Sequence, residues 1–320
     1  MAEIGNDLVK CRKLLAAGQL VAIPTETVYG LAGNALDPTA VAAIFATKNR
    51  PTFDPLIVHV AHLEAIAPLV REQPEPLMRL AARFWPGPLT LLLPAADCIP
   101  GLVTSGLPRV AVRVPNHPLT LKLLASLEFP LAAPSANPFG YISPTSPAHV
   151  EAQLGKRIPY ILDGGQCQVG IESTIVGMED NQVVVYRLGG LPIDDIQRIT
   201  GPVEVQEHSN SNPRAPGQLD SHYAPRTPFV LGNLEELVPD YLARGESIAV
   251  LSLDREFAAI EPAAKRQLSP TRNLAEAATN LFADMRYLDT CGARVILAEL
   301  LPEEGLGRAI NDRLRRAAHS

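Results

Sequence analysis

The sequence predicts an α/β protein in two unequal parts. A mixed α/β domain is expected over residues 1–200 and a smaller α/β domain with a parallel sheet over residues 229–320. Three observations point there. Short apolar runs of strand length alternate with segments whose apolar residues recur at helical spacing. Residues 201–228 break that pattern with Pro202, Pro213, Pro216, Pro225 and Pro228 and the polar string 208–212, a linker composition. Beyond them, strand and helix candidates alternate again, as parallel sheets require.

The elements follow in order. Asp7–Ala17 places Leu8, Cys11, Leu14 and Leu15 on one helical face, and Gly18 suits the stop. Leu20–Ile23 is a short buried strand. Val41, Ile44 and Phe45 give Pro38–Thr47 helix spacing, and Leu56–Val60 reads as an interior strand. A helix over Pro76–Phe84 ends at the rigid turn Trp85-Pro86-Gly87-Pro88. Leu89–Leu93 and Val110–Val114 are strands, His117–Ser126 a helix and Leu131–Ala133 a strand. Ile158–Leu162 is a strand that runs into Asp163-Gly164-Gly165; Ser173–Val176 and Gln182–Arg187 look paired. In the second part Phe229–Leu231, Ile248–Leu251 and Val295–Leu297 are strand-like. Asn273–Leu288 carries a helical apolar stripe, and Gly307–Ala317 reads as a basic C-terminal helix.

Composition narrows the function. The 320 residues are 47% hydrophobic and 19% charged, enough for a sizeable core. The formal net charge is −6, whereas a protein that grips nucleic-acid backbone usually carries a basic excess. Thirty prolines exceed the usual share of about 5% and argue against long helical bundles. Cys11, Cys98, Cys167 and Cys291 form no C-x-x-C pair, so four reduced thiols in a reducing compartment are expected. The first twenty residues lack an apolar signal core, and Leu89–Leu93 falls far short of the roughly 20 residues of a membrane span. A cytoplasmic protein with no membrane partner is expected. A P-loop, a G-x-G-x-x-G turn, a nucleophile elbow and an H-E-x-x-H helix are all missing. His59 and His62 would face opposite sides of a strand, so no shared metal is expected there.

Three stretches and two strand arginines carry chemistry. Pro24-Thr25-Glu26-Thr27-Val28-Tyr29-Gly30-Leu31 packs two hydroxyls, a carboxylate and a phenol behind a strand. By itself it is read as a strand-to-loop turn with Ser/Thr-type hydrogen bonds. Lys48-Asn49-Arg50-Pro51-Thr52-Phe53-Asp54-Pro55 follows a helix, whose C-terminus favours cations, but it also suits a phosphate clamp of a point charge and a planar fork. Pro134-Ser135-Ala136-Asn137-Pro138, with Ser143 downstream, is either a proline-bounded turn or a set of donors for an anion or nucleotide. Arg113 and Arg187 lie in apolar strands, where a guanidinium needs an acid partner or an anionic ligand.

Together these stretches, with Ile171-Glu172-Ser173-Thr174, resemble the YrdC-like threonylcarbamoyl-adenylate synthase family in its long two-domain form, in order and spacing along the whole chain. The resemblance implies a YrdC-like twisted mixed sheet followed by a smaller Rossmann-like α/β domain. It implies a nucleotidyltransferase that makes L-threonylcarbamoyl-AMP and pyrophosphate from L-threonine, bicarbonate or CO2, and ATP. The product would serve the N6-threonylcarbamoyladenosine modification of tRNA through downstream transfer proteins. The threonine site maps onto Thr27, His59, Arg113, Ala133 and Ser173. The ATP site maps onto Lys48, Arg50, Asp54, Ser135, Asn137, Ser143 and Arg187, with Lys48 and Arg50 expected to do the catalytic charge neutralisation and Mg2+ to come with ATP. The linker is implied to fold over the pocket and to bring Tyr223. Two departures stand out. Gln218-Leu219 follows Pro216-Gly217 where the family often has Met-Lys, which leaves a basic phosphate contact from the linker unsupported; and Arg109 replaces a small polar residue and stays outside the expected site. The rival reading is a non-catalytic module that binds double-stranded RNA, against which the acidity weighs. A hydrogenase-maturation carbamoyltransferase is a second, whose zinc-finger-like and acylphosphatase-like parts this chain lacks, and a purely structural role for residues 229–320 is a third.

Overall fold

The computed structural model describes residues 1–206, 215–217 and 223–319. Eleven of the strands in it form one mixed sheet. Across it the order is Glu3–Gly5, Tyr160–Leu162, Val21–Ile23, Gly30–Asn34, Leu131–Ala132, Ile57–His59, Arg109–Arg113, Leu89–Pro94, Thr174–Glu179, Gln182–Arg187 and Glu204–Val205. Parallel and antiparallel pairs alternate irregularly: Ile57–His59 runs parallel to Arg109–Arg113 and antiparallel to Leu131–Ala132. A second sheet of four strands, all parallel, has the order Phe229–Leu231, Val295–Ala298, Ile248–Ser252, Lys265–Gln267.

The apolar runs form strands because both of their faces are covered. Leu91, Leu93, Val110 and Val112 lie in one core with Val41, Ile44 and Leu77 from the flanking helices. Helix starts are capped as local chemistry dictates: the Asp7 carboxylate accepts from the Lys10 N–H, and Asp37 from the Thr39 N–H ahead of Pro38–Lys48. The first helix spans Leu8–Ala16 and is followed by Gly18 in the left-handed region.

Several elements lie outside the sequence expectation. Gly30–Asn34, whose first two residues end the stretch read as a strand-to-loop turn, is a strand paired through Gly30–Ala32 with Val21–Ile23 and through Gly33-Asn34 with Leu131–Ala132; two glycines in Gly-Leu-Ala-Gly-Asn leave no apolar alternation to detect. Helices Pro147–Leu154, Ile193–Thr200 and Leu234–Ala243 were not expected; the last carries Pro239 in its interior, a residue that normally argues against a helix. Lys265–Gln267 is a polar edge strand, as edges that resist further pairing tend to be. Glu204–Val205, inside the segment read as linker, extends the large sheet beside Gln182–Arg187.

The two sheets share a core. Val28, Ile142 and Ile171, from the larger part, pack with Tyr223, Leu281, Phe282 and Leu314. Gly170 permits this approach: a Cβ there would lie 2.4 Å from the Ala278 carbonyl oxygen on helix Leu274–Leu288. Among the described residues no helix is long and apolar enough to cross a membrane. All four cysteines are free, with Cys11 and Cys167 buried.

Candidate active site

A cavity of about 50 Å³ lies where the central strands of the large sheet meet the linker residues Pro216, Gly217 and Tyr223. Its floor begins at the Thr25–Val28 turn. The Thr25 hydroxyl donates to the Val28 carbonyl at 2.7 Å and lies 2.8 Å from the Thr27 hydroxyl, so the Ser/Thr turn is present and aims Thr27 inward. Arg113, at the end of Arg109–Arg113, meets it there. Its Nη1 donates to Thr27 Oγ1 at 2.9 Å, its Nη2 to Glu26 Oε1 at 2.6 Å and its Nε to the Gly87 carbonyl at 3.2 Å. The acid partner that an interior-strand arginine requires is therefore Glu26, whose other oxygen accepts from the Asn116 N–H.

His59 is paired in register beside Arg113, and its Nδ1 is 3.2 Å from the Ile57 carbonyl. Burial, reinforced by the Arg113 charge, pushes its pKa down to about 3, so the imidazole is neutral near pH 7. His62 is exposed beside Glu64, away from His59. Ser173 lies 2.7 Å from Thr90 through its hydroxyl. Arg187 donates from Nε and Nη2 to the Ser173 carbonyl at 3.1 and 2.8 Å, from Nη2 to its hydroxyl and from Nη1 to the Pro216 carbonyl at 3.3 Å. Burial lowers its pKa to about 10, still fully charged at neutral pH.

Across the cavity stands Arg50. Its Nε donates to the Asp54 carbonyl at 2.9 Å, and its Nη2 reaches the Pro55 carbonyl and the Asp54 carboxylate, both at 2.8 Å. The other Asp54 oxygen accepts from the Gly217 N–H at 3.1 Å. Tyr223 is buried, stacks on Phe282 at 5.4 Å between ring centroids, and lies under the guanidinium groups of Arg313 and Arg316.

Thr27, His59, Arg113, Ala133 and Ser173 thus line a single cavity together with Arg50, Ser135, Arg187 and Tyr223. Lys48, Asp54, Asn137 and Ser143 stand one contact behind its wall. Lys48 Nζ donates to the carbonyls of Ser135 and Asn137, both at 2.5 Å, and burial followed by the Arg50 charge pulls its pKa well below that of a free lysine. Asn137 Nδ2 donates to the Pro138 and Tyr141 carbonyls, each at 2.8 Å. Ser143 donates to Glu172 at 2.5 Å. Arg109 lies elsewhere, donating to the Tyr186 hydroxyl at 2.6 Å. Linker residues 207–214 and 218–222, among them Gln218 and Leu219, lie outside the described residues.

Sequence reasoning missed three participants. Glu26 sits inside a stretch that was singled out, yet its pairing spans 87 positions of chain. Glu172 lies in the fourth motif without an assigned role and lines the cavity. Arg313 belongs to the basic C-terminal helix and meets Glu172 at 3.1 Å.

Known proteins resemble this chain along its length. Residues 13–189 match the family described as Telomere recombination, and residues 191–319 the family described as Threonylcarbamoyl-AMP synthase, C-terminal domain. A protein of Pyrococcus abyssi named threonylcarbamoyl-AMP synthase is 41% identical, over 94% of this chain and 91% of its own. One of Bacillus subtilis with the same name is 37% identical, over 97% and 92%. The crystal structure of P. abyssi Sua5 complexed with L-threonine superposes with a TM-score of 0.93 and 38% identity, covering 100% of this chain and 98% of that one. The chain belongs to the threonylcarbamoyl-AMP synthase family, in its two-domain form.

Proposed function

We propose that this chain is an L-threonylcarbamoyladenylate synthase, which forms threonylcarbamoyl-AMP and pyrophosphate from L-threonine, bicarbonate or CO2, and ATP. The observation that carries the reading is the convergence of Arg50, Arg113 and Arg187 on one small cavity with Thr27, His59, Ala133 and Ser173, in a chain similar to such synthases almost end to end. The amine of threonine meets CO2 to give a carbamate; a carbamate oxygen attacks the α-phosphate of ATP, and pyrophosphate leaves. Such a reaction needs positioning and charge neutralisation rather than a nucleophile–base pair.

Arg113, oriented by Glu26 and Thr27, takes the threonine carboxylate, and neutral His59 adds a polar wall without a competing charge. Arg50 and Arg187 face the phosphates. Lys48 contributes in this closed arrangement by bracing the carbonyls of the loop that presents Ser135. ATP arrives as its Mg2+ complex. The nearby carboxylates Glu26, Asp54 and Glu172 are each engaged by an arginine, and no group of three or more His, Cys, Asp or Glu among the described residues is placed to hold a metal. The phosphate oxygens would therefore carry the ion, as Mg2+ sites with few protein ligands do.

The cavity under the seated linker is far smaller than the ~300–1,000 Å³ typical of drug-sized ligand sites. ATP therefore enters only when the segment at Pro216-Gly217 and Tyr223 lifts, and its return excludes water from a carbamate that readily loses CO2. The product passes to transfer proteins that act on tRNA, in the cytoplasm. The net charge of −6 disfavours the double-stranded RNA-binding alternative. Pyrophosphate release, measured with ATP, threonine and bicarbonate and with each omitted in turn, tests the reading: signal should need all three, and release without threonine would refute it.

A further inference from the structure

Among the described residues that line the cavity, Glu172 is the only carboxylate. A bare anion there would repel both a triphosphate and an amino-acid carboxylate. Its charge is not bare. Oε2 accepts from Arg313 Nε at 3.2 Å and Nη2 at 3.1 Å, and Oε1 accepts from the Ser143 hydroxyl at 2.5 Å. Arg313 comes from the far end of the chain, on helix Gly307–Ala318, and is completely buried. Its Nη1 donates to the Leu188 carbonyl at 2.6 Å and to Asp312 at 2.8 Å, and its guanidinium carbon lies 5.3 Å from the centroid of the Tyr223 ring. One planar cation thus touches the cavity acid, the sheet end next to Arg187 and the linker tyrosine.

We propose that Arg313 is a positioning residue for the nucleotide half of the reaction: by pairing with Glu172 it turns that carboxylate away from the phosphates and fixes Ser143 and Tyr223 around them. The proposal rests on the function proposed above. It separates two roles for the C-terminal helix. If Arg313 only held the helix in place, the charge on Glu172 would be irrelevant to substrate. If Arg313 acts through Glu172, its loss releases an unpaired buried acid into an anion site, and removing that acid repairs part of the damage. Lysine cannot substitute fully, because a single ammonium does not span three acceptors in one plane.

The test uses the full chain as Arg313→Met, Arg313→Lys, Glu172→Gln and the double variant Arg313→Met/Glu172→Gln. Pyrophosphate release gives separate KM values for ATP and threonine, and calorimetry gives the affinity for a non-hydrolysable ATP analogue. Arg313→Met should raise the KM for ATP and weaken the analogue about tenfold, with the KM for threonine within about twofold. Arg313→Lys should fall between, and adding Glu172→Gln to Arg313→Met should recover most of the loss. A double variant no better than Arg313→Met, or parallel rises in both KM values, overturns the proposal. Should Arg313→Met not fold, Arg313→Lys with and without Glu172→Gln makes the same comparison. Wild-type chain that releases no pyrophosphate with threonine refutes the synthase reading instead; analogue affinity across the variants still decides the coupling.

Discussion

Replacing Arg113 with methionine is the most revealing perturbation of the site, because it acts on stability and on ligand through different contacts. The side chain is 4% exposed and makes three hydrogen bonds, to Glu26, Thr27 and the Gly87 carbonyl. Its removal leaves one Glu26 oxygen buried without its cation, while the other keeps the Asn116 N–H. Breaking such a buried pair from one side costs about 3–5 kcal/mol. Removing both charges together, as Arg113→Met/Glu26→Gln, should return most of that stability, since no orphaned charge remains. Threonine binding should respond otherwise. A charge-assisted hydrogen bond to the substrate carboxylate contributes roughly 1.5–3 kcal/mol, equivalent to a loss of about 10- to 150-fold in affinity. The double variant cannot recover it, because the cation is still missing. Urea unfolding gives the first quantity and calorimetry with threonine the second. A folded double variant that binds threonine as tightly as the wild type would refute the assignment of Arg113 to the carboxylate.

The remaining predictions follow from other contacts. Gly217 has φ +70°, and a Cβ there would lie 3.0 Å from Arg187 Nη1; Gly217→Ala should cost the seated linker about 1–2 kcal/mol and lower kcat/KM about 5- to 30-fold, and an unchanged value would remove the linker from the cycle. His59 and His149 are held neutral, with pKa values pushed by burial to about 3 and about 4. The unfolded chain therefore binds protons that the folded chain refuses. Stability is full above about pH 6.5 and drains as pH falls toward those lower values, by about 2 kcal/mol at pH 5 for the buried His59 and by less for the partly exposed His149. The His149→Gln variant should show a shallower loss of urea midpoint between pH 7.5 and 5, and an identical slope would contradict it. Truncation after Gln206 removes the cover over Ile142 and Ile171 and the Arg313 partner of Glu172, so threonine-dependent pyrophosphate release should fall at least about tenfold while near-native sheet content by circular dichroism persists; equal release from the folded truncated chain would refute it.

Much of the fold was legible because burial on both faces writes strands as apolar runs, as at Leu89–Leu93 and Ile248–Leu251. Gly30–Asn34 was hidden because its glycines are selected for close packing, and Lys265–Gln267 because an edge strand carries polar residues. At the site, Arg113 announced its need for a partner by standing in an apolar strand. Which acid answers it depends on folding, since the two are separated by 87 positions. The contact between Glu172 and Arg313 spans 141 positions and two sheets, so no local pattern could reveal it. Lys48 illustrates the converse: a motif flags the residue, but only the coordinates show its ammonium on backbone carbonyls rather than in the cavity.

Among the described residues, the strap across the cavity is held by the Pro216 carbonyl on Arg187 and by the Gly217 N–H on Asp54, the carboxylate that steadies Arg50. On the proposed reading, those guanidinium groups are also what an arriving nucleotide seeks. Ligand and strap then compete directly for Arg187, and for Arg50 through the Asp54 carboxylate they share, so the substrate itself can undo the fastening, and the balance between shut and ajar molecules becomes a function of nucleotide concentration without any separate effector.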